Sequence, residues 1–159
     1  MIIKAPNPVL LNTELSTIIF LAGSIENGAA ENWQEEVTEV LQKRWSRSNY
    51  QDVILNPRRD DWNPQLKQSI YEPEFERQVK WELNGLEMAN IVIFYFASNT
   101  KSPITLMELG LVSALKNKSV WVYCAPDFWR RGNIEVMCEK YGHVFFTDKK
   151  EFMSYLIES

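Results

Sequence analysis

The stretch that decides the fold is Ile91-Val-Ile-Phe-Tyr-Phe-Ala-Ser-Asn-Thr-Lys-Ser-Pro-Ile-Thr-Leu-Met-Glu-Leu-Gly-Leu-Val-Ser-Ala-Leu115. Ile91 to Phe96 is an unbroken apolar run, the pattern of a strand whose two faces are both covered in a parallel sheet. Ser102-Pro103 reads as a helix N-cap followed by proline at the first helical position, where a missing N–H does no harm. Apolar residues then return at helical spacing from Ile104 to Leu115. The same order recurs outward from here. Thr17–Ala22, Val53–Leu55, Val120–Tyr123 and Val144–Phe146 are further short apolar runs. Between them, Trp33, Val37, Val40, Leu41 and Trp45 form one helical stripe and Phe75, Val79, Leu83 and Leu86 another. Ile134–Tyr141 and Lys149–Ile157 complete the helices. Strand and helix alternating in this way predict a three-layer α/β sandwich around a five-stranded parallel sheet. Element count favours strand order 2-1-3-4-5, with a Rossmann-like order as the alternative.

The chain has 159 residues, 45% hydrophobic and 24% charged, the size and balance of a single globular domain over residues 1–159. Lys and Arg number 17 against 21 Asp and Glu, a net charge of −4. That argues against a nucleic-acid partner, whose affinity comes from cations neutralising phosphates. No apolar run approaches the roughly 18 residues that span a bilayer, so no membrane partner is expected. Pro6 and Pro8 interrupt the N-terminus, which lacks a small-residue cleavage site, so a signal peptide is not expected and a cytoplasmic location is. Cys124 and Cys138 are too few for a disulfide scaffold or cysteine-based zinc site and read as buried thiols. His143, the sole histidine, reads as structural or exposed. No metal-ligand spacing, Walker motif or dinucleotide glycine pattern appears, so neither metal nor cofactor is expected.

In open α/β sheets ligands bind beyond the carboxyl ends of the strands. That rule singles out Gly23–Gly28, Asn56–Pro73, Ala97–Pro103 and Ala125–Asn133. The second is far longer than the typical loop of about 4–6 residues and reads as functional. Its Arg58, Arg59, Asp60, Asp61 and Trp62 suit either a binding role or a salt-bridged surface turn.

Two carboxylates stand out. At about 100° per residue, Glu82 falls on the edge of the Phe75–Leu86 stripe, with no Lys or Arg three or four residues away. Burial there would raise its pKa and keep a proton ready for general-acid work; alternatively the side chain snorkels to water. Glu108 lies in a helix that is apolar nearly all round, a pattern of burial on most sides. Leu111, Val112 and Leu115 flank it, and no cation stands within a turn. Burying an unpaired charge is costly, and the positive end of the helix dipole offers one offset. The alternative for Glu108 is a capping box, Thr105-Leu-Met-Glu108, in which it bonds the N-cap amide. Gly110, in mid-helix, is expected to mark a close approach. The helix start at Ser102 suits an anion.

In order along the chain stand Phe20-Leu-Ala-Gly-Ser-Ile25, Ile54-Leu-Asn-Pro-Arg-Arg-Asp-Asp-Trp62, Trp81-Glu-Leu-Asn-Gly-Leu86 and Ser102-Pro-Ile-Thr-Leu-Met-Glu-Leu-Gly110. Together they resemble the nucleoside 2-deoxyribosyltransferase-like family, from about Ile18 to Gly142. The resemblance implies a flavodoxin-like fold and cleavage of the N-glycosidic bond of a (deoxy)nucleoside or its 5′-monophosphate. It implies that Glu108 is the nucleophile that forms a glycosyl-enzyme and Glu82 the acid beside base and sugar. Gly23, Ser24, Asn56, Arg58, Asp61, Trp62 and Ser102 fall at positions that would meet substrate. Asn133 resembles an asparagine that reaches a neighbouring subunit's site, implying a homodimer or larger homo-oligomer.

Two features separate this chain from the base-transferring members. Ser102 stands where they carry Asp, and resembles the phosphate-contacting Ser of monophosphate hydrolases. Ile19 stands where they tend to carry Tyr. Gly23-Ser24-Ile25 likewise resembles the hydrolases' phosphate loop, whereas Glu26 would repel a phosphate. The leading expectation is deoxyribosyl transfer between bases. The alternatives are hydrolysis of 5′-monophosphates to free base and a non-catalytic nucleotide-sensing domain.

Overall fold

A computed structural model describes residues 1–9, 17–25, 30–45 and 52–159. The strands are β1 (Ile2–Lys4), β2 (Ile18–Gly23), β3 (Val53–Asn56), β4 (Ile91–Phe96), β5 (Ser119–Cys124) and β6 (Val144–Phe146). The helices are α1 (Trp33–Trp45), α2 (Pro73–Met88), α3 (Pro103–Ala114), α4 (Arg131–Tyr141) and α5 (Lys149–Glu158). One parallel sheet runs β1-β3-β2-β4-β5-β6. The five expected strands stand in the expected order within it. The sheet nevertheless has six strands and not five, because Ile2–Lys4 adds an outer edge beside β3. That strand is three residues long with an exposed–intermediate–exposed pattern, too short to register as a run.

The central strands are apolar throughout because both faces are covered. β2, β4 and β5 are buried along nearly their whole length. Helices α2, α3 and α4 cover one face and α1 the other, with α5 packing on α1. Side chains follow that division. Phe20 meets Trp81 of α2, whereas Tyr95 stacks on Trp33 of α1 and meets Phe152 of α5 edge-on.

Three local expectations change. The helix α3 is not buried all round: Glu108, Leu109 and Val112 face inward, while Ile104, Met107 and Leu111 are 56, 61 and 40% exposed. An apolar periodicity cannot separate a helix packed on every side from one whose outer face is bare. Nor is there a capping box. Ser102 is the N-cap and Pro103 begins the helix, so Thr105 already lies inside the first turn. Gly110 marks no close approach, since nothing lies within 4 Å of where its Cβ would stand.

Close approach is instead made at Gly23 and Gly85. A Cβ on Gly23 would lie 2.5 Å from both the Tyr95 carbonyl oxygen and the Trp33 ring. One on Gly85 would lie 2.6 Å from the fully buried Phe20 ring. The first contact involves sheet backbone, which cannot yield cheaply in a close-packed interior. Gly23→Ala is therefore expected to destabilise the fold by about 1–3 kcal/mol, read as a lowered midpoint of chemical denaturation. An unchanged midpoint would contradict this packing.

Candidate active site

At the carboxyl edge of the sheet a hollow of about 710 Å³ opens between α2, α3 and the loop over 57–72, within the ordinary range of small-molecule sites. Its floor is the end of β2 and the residues that follow: Phe20, Ala22, Gly23, Ser24 and Ile25. Helix α2 contributes Phe75, Gln78, Val79, Glu82 and Leu83, and α3 with its cap contributes Ser102, Pro103, Ile104, Thr105, Met107 and Glu108. The long loop closes the third side with Pro57, Arg58, Arg59, Asp60, Trp62, Pro64 and Gln68. The stripe on α2 is thereby divided: Leu86 enters the core, whereas Phe75, Val79 and Leu83 form an apolar wall of the hollow.

Glu82 and Glu108 come from different helices into this one space. Glu108 is 8% exposed, and its carboxyl has no hydrogen-bond or ion-pair partner among the described residues. Burial, followed by the nearby charge of Glu82, pushes its pKa from the ordinary 4.5 up to about 8. Glu82 is half-buried. Burial raises its pKa as well, partly offset by a hydrogen bond from Gln78. Gln78 Nε2 donates to Glu82 Oε1 at 2.8 Å and to the Pro57 carbonyl at 3.0 Å. Gln78 was not singled out from sequence. Its position four residues before Glu82 was the available signal, because residues at that spacing share a helix face.

Ser24 follows β2 directly, and its N–H continues the ladder to the Tyr95 carbonyl at 2.9 Å. Its hydroxyl accepts from the Ala97 N–H at 3.0 Å and lies 2.6 Å from Ser102 Oγ and 2.9 Å from Thr100 Oγ1. Thr100 in turn donates to the Ala97 carbonyl at 2.8 Å. Ser102 does not cap its helix through its side chain and holds a left-handed backbone, φ 46°. A residue with a Cβ there costs roughly 1–2 kcal/mol. The bonds to Ser24 and Thr100 hold the side chain in the knot of hydroxyls at the hollow's end. Glu26, expected beside this loop, lies outside the described residues.

In the long loop, both expected roles occur. Arg59 donates to Asp61 at 2.9 and 2.8 Å and to Glu74 at 3.0 Å, and its guanidinium lies 5.5 Å from the Trp62 ring. Arg59 and Trp62 line the hollow, while Asp61 is exposed and does not. Arg58 lines it too, with Nη1 donating to the Glu31 carbonyl and Gln34 Oε1. Asn56 is buried but outside the lining; its Oδ1 accepts from the Arg58 N–H and shapes the turn. Asn133 is exposed near the start of α4, also away from its own chain's hollow. Of the ten expected site residues, Asn56, Asp61 and Asn133 are thus not brought to the hollow.

Among the described residues no group of three or more His, Cys, Asp or Glu side chains is placed to hold a metal. No helix there is long and apolar enough to cross a membrane. His143 bonds Ser113 at 2.8 Å, and Cys124 and Cys138 are buried thiols whose pKa burial pushes up to about 12.

The raised pKa of Glu108 has a consequence for stability. Between about pH 4.5 and 8 the native state keeps a proton there that the unfolded chain has released, so stability falls as pH rises across that window. Glu108→Gln should be more stable than wild type by on the order of 2–4 kcal/mol near pH 9, with the difference fading below about pH 5. Denaturant titrations at both pH values measure it, and equal stability at pH 9 would contradict the burial of this carboxyl.

No curated protein matches the chain. Among solved structures it is similar to a Clostridium botulinum CMP N-glycosidase, BcmB, at 17% identity, covering 88% of this chain and 97% of that one with a TM-score of 0.52. It is also similar to a conserved protein from Enterococcus faecalis V583, at 12% identity, 90% and 87% coverage and a TM-score of 0.51. At these identities the likeness concerns the fold. Residues 16–128 match the family described as nucleoside 2-deoxyribosyltransferase like, and the chain belongs to that family.

Proposed function

We propose that this protein cleaves the N-glycosidic bond of a (deoxy)nucleoside and transfers the deoxyribosyl group to another base through a covalent intermediate on Glu108. Family membership supports N-glycosidic cleavage in general. The observation that carries the reading is the pair of carboxyls in one hollow, each raised in pKa by burial and neither paired with a cation among the described residues. Such a pair resists losing both protons, so near neutrality it holds one between its two members.

That single proton suits the chemistry. With the pair's one proton passed from Glu108 to Glu82, the ionised Glu108 attacks C1′, the C1′–N bond breaks, and its electron pair leaves with the base as Glu82 delivers the proton. The positive charge developing on the sugar is stabilised by a carboxylate close by and shielded from water. A second base then attacks C1′ and gives its proton to Glu82, releasing the ester at Glu108. Trp62, with Arg59 against its ring, provides a flat surface for a base.

A second reading, hydrolysis of a 5′-monophosphate with water as acceptor, draws on Arg58, Ser24 and Ser102 lining the same hollow. The Clostridium neighbour is a CMP N-glycosidase. We further propose that two copies associate. Ile104, Met107 and Leu111 form an apolar outer face on α3, and the first two also line the hollow. A second copy seated there would roof the site and bring its Asn133 within reach.

Incubation with the common 2′-deoxynucleosides and an acceptor base, with and without 5′-phosphate, should yield free base and new nucleoside by chromatography. Glu108→Ala and Glu108→Gln are each expected to lower the rate about 10³-fold or more, and Glu82→Gln about 10²–10⁴-fold. The profile of kcat/KM should be bell-shaped with its alkaline limb near pH 8, since rising pH removes the pair's last proton and with it the acid. Full activity in both Glu108 variants would remove that residue from the mechanism.

A further inference from the structure

Gln78 has one orientation open to it. The Pro57 carbonyl can only accept a hydrogen bond, so the side-chain nitrogen, not the oxygen, must face it. The second N–H of the same nitrogen then points at Glu82 Oε1. Turning the amide over would set its oxygen against a carbonyl and a carboxyl at once. The orientation leaves Gln78 Oε1 buried with no partner, a burden that the fold carries while keeping both N–H bonds. The group is 6% exposed, so neither bond is exchanged freely with water.

Because Glu82 Oε1 receives an N–H, it serves as the acceptor oxygen of that carboxyl. Building on the reading of Glu82 as the acid, we propose that Gln78 is a positioning residue for proton transfer: it confines the transferable proton to Glu82 Oε2 and ties that oxygen's direction to the base-side loop through Pro57. The same amide links acid and loop, so the loop carrying Arg58, Arg59 and Trp62 and the proton donor keep a fixed relation. Loss of Gln78 would leave the sugar side, where Glu108 attacks, in place. It would impair only departures in which the leaving group needs a proton.

Among the described residues, the charged groups facing this carboxyl across the hollow are Glu108 on α3 and Arg58, Arg59 and Asp60 on the loop. Of these Arg59 is held by Asp61 and Glu74. Removing the N–H that favours the ionised form of Glu82 makes the pair give up its first proton at higher pH. The acid limb of the kcat/KM profile then moves upward while the alkaline limb, set by Glu108, moves less.

The test compares two donors in one preparation of Gln78→Met: the 2′-deoxynucleoside that the wild type cleaves fastest, and 4-nitrophenyl 2-deoxyriboside, whose leaving group departs without a proton. Gln78→Asn, a methylene shorter and able to hold only one of the two partners, is the second variant should the first fold poorly. The expected result is a fall in kcat of about tenfold or more on the nucleoside with little change in KM. The nitrophenyl donor should stay within twofold, and the acid limb should rise. Equal losses on both donors, or an unmoved acid limb, would overturn the role of Gln78 while leaving the proposed activity standing. A wild type that cleaves neither donor would overturn both.

Discussion

A carboxyl buried in an apolar helix face, with a second carboxyl across from it and no cation bound to either among the described residues, is the constraint around which this molecule is arranged. Water is the usual partner of such a group, and Glu108 has almost none. Proteins commonly answer that problem with an arginine or a lysine. Here the arginines of the hollow are engaged elsewhere, Arg58 by the Glu31 carbonyl and Gln34 and Arg59 by Asp61 and Glu74. Without a salt bridge among the described residues, both acids stay able to change protonation state. A cationic centre brought into the hollow, such as a sugar carbon losing its base, would meet a carboxylate whose charge little water screens.

The rest of the fold serves to hold that arrangement rigidly. Parallel strands covered on both faces bring β2 and β4 side by side, and their carboxyl ends set Ser24 and the start of α3 next to one another. Gly23 lets the end of β2 lie against Tyr95 and Trp33, and the Trp33 indole fixes the Ser24 carbonyl. Gly85 lets α2 lie against Phe20, placing Glu82 over the floor of the hollow. The long loop after β3 is anchored at its start by two side chains, Asn56 on the Arg58 N–H and Gln78 of α2 on the Pro57 carbonyl. Apolar residues of α2 and α3 form walls that exclude water, while the polar groups among them are mostly held by one another.

Much of this was legible in the chain itself, for definable reasons. Strands buried on both faces leave continuous apolar runs, so β2 to β6 and their order could be read. The edge strand β1 could not, because three residues at a wet edge carry no pattern. Glu82 and Glu108 were conspicuous as charges inside apolar stripes. Gln78 was not, since a neutral polar residue on a helix raises no such conflict, and Thr105 was read only as a candidate cap, although both line the hollow. Asn56 and Asp61 were ambiguous in kind. Asn and Asp serve turns as readily as ligands, and here they shape the loop. The bare face of α3 escaped notice because hydrophobic periodicity reports which residues avoid water, not whether their partner lies in the same chain.

The central claim is that Glu108 bonds covalently to the sugar. It is tested most directly with 2′-fluoroarabino analogues of the common deoxynucleosides, in which the electron-withdrawing fluorine slows breakdown of a glycosyl ester. Peptide mass spectrometry after incubation should find one fluorinated pentosyl unit on the peptide carrying Glu108, and none on that peptide from Glu108→Gln. Release of base from natural nucleosides by a protein whose Glu108 never acquires the sugar, or a sugar found on another side chain, would contradict the account.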